Sequence, residues 1–506
     1  MFTIDLNSNR RMERPFFLHD GIGYGCCWLN GTDARGRRTQ AKVVFDATFQ
    51  NLYSDQEIEG HKLLEELPFT LELAGTPTPD TYLSAEGYHA HVINKKPLPS
   101  YAEVFSDVVR NLDAFIAFHD ASGTQQEQTE MLAAYVVSTY LINEFHAASY
   151  LWFGGERGSG KTQASIAASK MASMGVFTQG TSTFASLRET AALGGLIFCD
   201  DFENWRGFEP DKKNMFLSGT TRGASISLRR QGQREGDWVT EHVPVYCPKG
   251  FSAISSPDDV LASRSIFVEL RRSDDGERTG RSPTNVADWP VDPMLVRDWL
   301  WLHTVQLLPK VESVRKDIEG RIDLSGRDRD NLLPLLTVAR LVELSSGRDG
   351  LVDRLLDLAK RNADQRESLM PPSENEVLIR CLQSLMTTRN AGPIPTSDIR
   401  GAFVRYCENQ DISEHSYLEI SPMRIGQMLS RLGFNPSASH RNRRSWMISE
   451  TDVRKACVDQ GIVFPEADDA EVEQLAPSST IFEIWKTDAH YDSASNIASK
   501  PAAPWD

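Results

Sequence analysis

Apolar residues along this chain change period several times, and each change marks a boundary. From Phe16 to about Ile93 they come in short runs, such as Lys42-Val43-Val44-Phe45 and His89-Ala90-His91-Val92-Ile93, with turn formers (Asn30-Gly31, Asp33, Gly36) among them. That pattern predicts a small β-rich unit over residues 1–100. Helical spacing begins near Tyr101 and dominates Gln125 to Phe145, predicting a helical collar over 101–149. Short apolar runs return at Tyr150–Phe153, Leu196–Cys199, Val243–Tyr246, Phe251–Ser255 and Ile266–Leu270. Interleaved with helical stretches, they predict an α/β, doubly wound core over 150–290.

Asp292 to about Arg366 reads as helices with several apolar faces, a helical lid over 291–369, and Met370-Pro371-Pro372-Ser373 reads as a linker. Residues 374–462 then give three helices (Glu374–Thr388, Ser397–Asn409, Ser421–Leu432), a turn at His440–Arg443, a strand at Ser445–Ser449 and a last helix. That is the order of a winged helix-turn-helix. From Pro465 to Asp506 nine acidic residues face two lysines, so 463–506 is expected to be a disordered acidic tail, with a short docking segment at Ile481–Trp485.

Composition narrows the setting. A chain of 506 residues has room for about three domains. Seven cysteines without a C-x-x-C spacing, two of them adjacent (Cys26 and Cys27), argue for a reducing compartment and against a metal–sulfur site. Met1 to Arg14 lacks an apolar core, and the most apolar segment, Met131 to Ile142, is too short to span a bilayer. The expectation is a soluble, cytoplasmic protein with no membrane partner. A net charge of −16 excludes a generally basic coat but leaves room for a local basic groove.

The chemistry starts where the run Tyr150–Phe153 ends. Gly155, four residues, Gly160, Lys161 and Thr162 make the phosphate-loop spacing, with Gly158, Ser159 and Gln163 in the same turn. Glycines let successive N–H groups close around phosphate oxygens, and the following helix N-terminus adds positive potential. Lys161 is expected to reach the β- and γ-phosphates of ATP, and the Thr162 hydroxyl to help hold Mg²⁺. Beyond it, "LIFCDDFENW" ends an apolar run in carboxylates. Asp200 is placed beside Mg²⁺, and Asp201 or Glu203 is expected to orient the attacking water. Strand alternation, if it continues, sets Asp201 and Glu203 on one face and Asp200 on the other. In ring-forming ATPases, which this order of residues resembles, a polar residue at the place of Ser255 or Ser256 senses the γ-phosphate and an arginine at the place of Arg264 completes a neighbouring subunit's site.

At these residues the chain resembles AAA+ ATPases, and more closely the superfamily-three-like helicase domains of primase-helicase and replication proteins from phages, plasmids and integrated elements. The resemblance runs from about Tyr135 to Arg366, through "YLWFGGERGSGKT", "LIFCDDFEN", "GTTRGASISLRR", "LASRSIFVELRR" and "GRDRDNLLPLLTVARLV". It implies a P-loop ATPase core with a helical lid, a homo-oligomeric ring (a hexamer), and a second sensor arginine at Arg327, with Arg329 as alternative. The sequence departs from that group in carrying Asp201 where Glu is common, and Ser255 or Ser256 where the first sensor is usually Asn.

Within "ASISLRRQGQREGDWVTEHVPVY" two alternating stretches flank a polar, Gly-containing turn, which predicts a hairpin with Arg229, Arg230 and Arg234 at its tip. In the helicases this region resembles, such a hairpin enters the ring channel and follows phosphates of single-stranded or forked DNA. Arg424, Gln427 and Arg431 on the predicted recognition helix, and His440, Arg441, Arg443 and Arg444 on the wing, are the second candidate DNA contact. The expected function is an ATP-driven DNA helicase or translocase for replication of a mobile element. A signalling or remodelling ATPase acting on a protein, as in phage defence, and a switch that uses ATP only to assemble are the alternatives. No primase or nuclease signature is present, so priming would come from a primase or polymerase partner.

Overall fold

The computed structural model describes residues 11–12, 14–33, 35–55, 67, 70–71, 82–119, 123–179, 182–203, 210–231, 237–254, 257, 259–324, 326–369, 373–388, 393–409, 417, 419–440, 443–459 and 462. The acidic tail and most of the expected linker lie outside them. The chain divides into two compact units, Met1–Met370 and Pro371–Asp506.

The first unit opens with a four-stranded antiparallel meander, β1 (Phe16–His19), β2 (Ile22–Thr32), β3 (Arg38–Asp46) and β4 (Asn51–Ser54). The run His89–Ile93, expected as a strand, is instead a π-helical turn after the short helix Ala85–Tyr88. The Ser84 hydroxyl accepts from Gly87 N at 2.9 Å and so commits the chain to helical geometry before any alternation can act. Helices α1 (Tyr101–Asp113) and α2 (Gln125–Ser138) both begin in capping boxes, Ser100 with Glu103 and Thr124 with Glu127. From Gln128 to Ser138 every residue of α2 is buried, which makes it the axis of the unit. Its polar members are satisfied: Gln128 donates to His119 O and Gly123 O, and Glu130 pairs with Arg354.

The central sheet has five parallel strands: β5 (Tyr150–Gly154), which leads into α3 (Lys161–Met171), β6 (Val176–Gln179), followed by α4 (Phe184–Leu193), β7 (Ile197–Asp200) and, after the antiparallel hairpin β8 (Ser225–Gln231) and β9 (Trp238–Pro244), β10 (Lys249–Ser252) and β11 (Ser265–Glu269). Their order across the sheet is β11-β5-β10-β7-β6. One expected strand is corrected. Val243–Tyr246 supplies no strand to this sheet, since Val243 and Pro244 close the hairpin, and Val176–Gln179 takes the outer position instead. An edge strand needs little apolar content, and β6 is only half buried, so no continuous run announces it.

Three helices complete the unit, α5 (Pro293–Glu319), α6 (Gly326–Ser346) and α7 (Leu351–Leu369). They share one hydrophobic core with α1, α2 and the inner face of the N-terminal meander. Contact between the meander and α5 is close: a Cβ on Gly23 would lie 2.1 Å from the Val305 carbonyl oxygen, and one on Gly25 would lie 2.8 Å from the Val305 side chain. The second unit comprises α8 (Glu374–Thr388), β12 (Ile394–Pro395), α9 (Thr396–Asn409), α10 (Pro422–Arg431), β13 (Asn435–His440), β14 (Arg443–Met447) and α11 (Glu450–Asp459). Its small sheet has β14 in the middle, and Trp446 of that strand is buried with its indole N–H on Thr396 Oγ1 at 3.0 Å. The expected strand Ser445–Ser449 therefore begins two residues earlier, at Arg443.

Gly23→Ala is expected to lower stability by about 1–3 kcal/mol, because the helix backbone must move. Gly31→Ala, in the same strand with nothing within 4 Å of its would-be Cβ, should stay within about 0.5 kcal/mol of the parent. Urea midpoints of the two variants, measured side by side, check the difference.

Candidate nucleotide site

The phosphate-loop residues lie where β5 hands over to α3, at the carboxyl end of the parallel sheet, where the crevice of an open α/β sheet is found. Gly155 has φ +138°, and a Cβ there would stand 2.4 Å from the Leu270 carbonyl oxygen, so only glycine lets the loop pass this close to the end of β11. Gly160, at φ +88°, caps the first turn of α3. Lys161 follows at once, and its ammonium donates to Gly155 O at 2.6 Å and Glu156 O at 2.8 Å. Burial depresses its pKa, against the opposing pull of Glu203, Asp200 and Asp201. Ser159 is buried, and its hydroxyl has no hydrogen-bond partner among the described residues.

Across the loop stands Asp200, the last residue of β7, 3% exposed. Thr162 Oγ1 donates to its Oδ2 at 2.8 Å, and Ser252 Oγ, at the end of β10, donates to its Oδ1. Two hydroxyls from two neighbouring elements thus orient one buried carboxylate. Thr162 and Asp200 are suited to Mg²⁺, which takes one or two protein oxygens and completes its shell with phosphate and water. Among the described residues there is no group of three or more His, Cys, Asp or Glu able to hold a metal by itself.

The two remaining carboxylates part company. The strand ends at Asp200, so alternation does not continue. Asp201 takes a left-handed backbone, φ +52°, which Asp tolerates better than most residues, and lines the cleft. The Glu203 carboxylate accepts from Ile254 N, beyond the end of β10. The cleft measures about 1040 Å³ and is lined by Arg157, Lys161, Arg271, Arg272 and Arg278 against Asp201 and Asp274, a balance suited to a polyanion. Of the arginines, Arg278 is tied to Asp113 at 3.0 Å and Arg271 to Phe118 O at 2.9 Å. Arg157 and Arg272 are exposed, without an ion-pair partner among the described residues. Gln163 also lines the cleft, its amide on Arg281 O at 3.1 Å.

No protein-family profile matches the chain, nor does any curated protein sequence. Solved structures give distant likenesses. A structure described as the active helicase Cch of SCCmec type IV shares 11% identity, covers 87% of this chain and 98% of its own, and superposes with a TM-score of 0.37. A full-length MCM homolog from Methanopyrus kandleri shares 11% identity over 69% of this chain and 78% of its own, at 0.33. The C-terminal region of NrS-1 shares 9% identity over 78% and 82%, at 0.30. Scores this low carry no argument about activity.

Several anticipated residues fall elsewhere. Arg327 does not reach its own phosphate loop: its guanidinium donates to Ser263 Oγ at 3.0 Å, and Asn331 of the same helix donates to Ser263 O at 3.1 Å. Ser263 precedes β11 at the amino end of the sheet. The length of β5, roughly 13 Å for four strand steps, separates that end from the loop. The reason is that α6 packs on α2 and α5, which draws its first turn to the wrong end of the strands for a contact in cis. Arg329 lies 3.5 Å from Glu319. Arg264 sits beside Arg327 at that same end, its guanidinium donating to Val260 O at 2.6 Å and its carbonyl accepting from Tyr150 N. Ser255 and Ser256 lie outside the described residues. β10 ends earlier than expected, at Ser252, and it is this serine that meets Asp200.

Sequence reasoning missed Ser252 because its strand was extended three residues too far. It missed Arg272 and its neighbours because the charged run after β11, "RRSDDGERTGR", matches no phosphate-binding motif, although four arginines within residues 271–281 were there to be seen. On the hairpin, Arg229 and Arg230 belong to β8 itself and not to its tip, and Arg234 lies outside the described residues. Arg424, Gln427 and Arg431 are all exposed along α10, and Arg424 is paired with Glu374 at 2.9 Å. Arg443 and Arg444 fall in β14, and Arg441 lies outside the described residues.

Ser252→Ala should weaken the Mg²⁺ dependence of nucleotide binding by about 10- to 100-fold, the usual effect of losing a group that orients a metal ligand. Titrating Mg²⁺ against binding of a fluorescent ATP analogue measures it.

Proposed function

We propose that the chain is a Mg²⁺-dependent ATPase that assembles into a ring and moves along DNA as a helicase or translocase, in replication of a mobile genetic element. One observation carries the ATPase part: the Thr162 hydroxyl meets the buried Asp200 carboxylate at 2.8 Å, beside Lys161 and a cation-lined cleft. Lys161 binds the β- and γ-phosphates, and the loop N–H groups and Ser159 hydroxyl cradle them. Thr162 and Asp200 would hold Mg²⁺, which would supply neutralisation of phosphate charge. Asp201, which faces the cleft, orients the attacking water, while Glu203 is held on Ile254 N.

Ring assembly is supported by the placement of Arg264 and Arg327. Both gather around Ser263 at the sheet end remote from their own loop, so neither serves its own subunit. Together they complete a neighbour's site, where an arginine stabilises the charge developing on the transferred phosphoryl group. The hairpin β8–β9, with Arg229 exposed, provides the grip on the DNA backbone. The second unit, helices α8 to α11 with a three-stranded sheet, is read as the winged helix, contacting DNA through Gln427, Arg431 and the basic residues around β13 and β14. The mobile-element setting follows only from the resemblance of the motifs.

ATP hydrolysis should rise on addition of single-stranded or forked DNA. Lys161→Ala should abolish hydrolysis, and Arg229→Ala should lose only the DNA-dependent increment. Hydrolysis that needs Lys161 but ignores DNA would sink the motor and favour a remodelling ATPase. Arg264→Ala is expected to cost about 10³- to 10⁵-fold in rate. Mixing Lys161→Ala with Arg264→Ala chains should restore part of the activity, because a mixed ring contains interfaces with both residues intact. Absence of any recovery argues against the shared site.

A further inference from the structure

The hairpin offers more than charge. Its ladder pairs Ser227 with His242, Arg229 with Thr240 and Gln231 with Trp238, and these six residues share one face by strand alternation. All six are exposed. The base of the hairpin is anchored by other residues: Val243 is buried, and Ile226 packs on the core cluster that contains Leu187 of α4. The outward face therefore stands on a fixed base, and its six residues are exposed.

Trp238 is 59% exposed, and among the described residues it is the only large aromatic side chain left so open to solvent. An indole on an otherwise polar face gains nothing there from burial within its own chain. Arg229 is its diagonal neighbour across the ladder, within reach of a long side chain. The acidic residue of β9, Glu241, pairs with Leu228 and so belongs to the opposite face, and no carboxylate occupies a ladder position on the face of Trp238. His242 is steadied by Ser227 at 3.1 Å. Asp237 adjoins Trp238 in the chain, outside the ladder. A flat, exposed π-surface beside a cation, with no carboxylate among the paired positions of its face, matches one occupant chemically: a stack of unpaired bases on a phosphate backbone.

We propose that Trp238 is a base-stacking platform that makes this hairpin selective for unpaired nucleic acid, with Arg229 taking the adjacent phosphate. The inference rests on the DNA-translocase reading and names the form of nucleic acid the hairpin holds. Phosphate contacts alone do not distinguish a single strand from a duplex, because both present them. Stacking on an indole requires a base with a free face, which only the unpaired strand offers.

The test uses the full chain and two probes of equal length, a fluorescent oligo-dT and the same backbone with abasic sites, followed by anisotropy at several salt concentrations. Trp238→Ala should weaken oligo-dT binding by about 5- to 100-fold and leave the abasic probe unchanged. Trp238→Phe should keep most of the affinity. Arg229→Ala should weaken both probes and lower the salt slope by about one. ATP hydrolysis without DNA, expected to match the parent in both Trp238 variants, reports that they are folded. If Trp238→Ala leaves oligo-dT binding unchanged, or weakens both probes equally, the platform is overturned while the DNA reading stands. If the parent binds neither probe, the DNA reading and the platform fall together. Loss of self-association in Trp238→Ala with oligo-dT binding intact would make the face a subunit contact and also overturn the proposal.

Discussion

A buried carboxylate is the constraint on which this molecule is organised. Asp200 is almost wholly removed from water, and an unpaired charge in such a place would cost several kcal/mol. It is tolerated because Thr162 and Ser252 donate to its two oxygens from the helix after β5 and from the end of β10. Those three strands and their loops must therefore keep their mutual register. Slip β7 by one residue, and the carboxylate leaves the hydroxyls and enters the apolar face. The cleft, the phosphate loop and the candidate Mg²⁺ ligands all follow from that register.

The parallel sheet also gives the first unit two chemically different ends. At the carboxyl end lie the loop glycines, Lys161 and the cation-lined cleft. At the amino end lie Ser263, Arg264 and Arg327. A single chain cannot bring the two ends together, since a parallel strand keeps its direction. In the proposed ring, head-to-tail repetition solves this by setting the amino end of one subunit against the carboxyl end of the next, a heterologous contact that closes when the rotation per subunit divides the circle. The hairpin belongs to the same logic: its strands leave and rejoin the core between Ala224 and Val245, with Ile226 and Val243 turned inward.

Helix α2 does a quieter service. With every residue from Gln128 onward buried, it ties the N-terminal meander, the sheet and helices α5 to α7 into one core. That is why the N-terminal residues, which look separable in the sequence, form part of the same compact unit as the sheet. Gly23 and Gly25 show the cost of that union: β2 approaches Val305 of α5 so closely that side chains are excluded.

Most of what the sequence determined is local. The glycine spacing and the residues Lys161 and Thr162 specify a loop whose backbone geometry only glycine accepts, and an apolar run ending in Asp200 specifies a buried strand with a carboxylate at its edge. Capping pairs at Ser100 and Thr124 set where α1 and α2 begin. Edge strand β6 was not legible, because a half-buried strand of four residues has no periodicity to stand out from its surroundings. The hairpin was legible as alternation, but the exposure of Trp238 was not, since alternation says which residues share a face and not which face meets the core. Only the tertiary structure decided that Ser252 meets Asp200, that Arg272 borders the cleft, and that Arg327 lies at the far end of the sheet beside Arg264. These are distances between segments tens of residues apart, fixed by how helices pack on a sheet, and no local pattern encodes them.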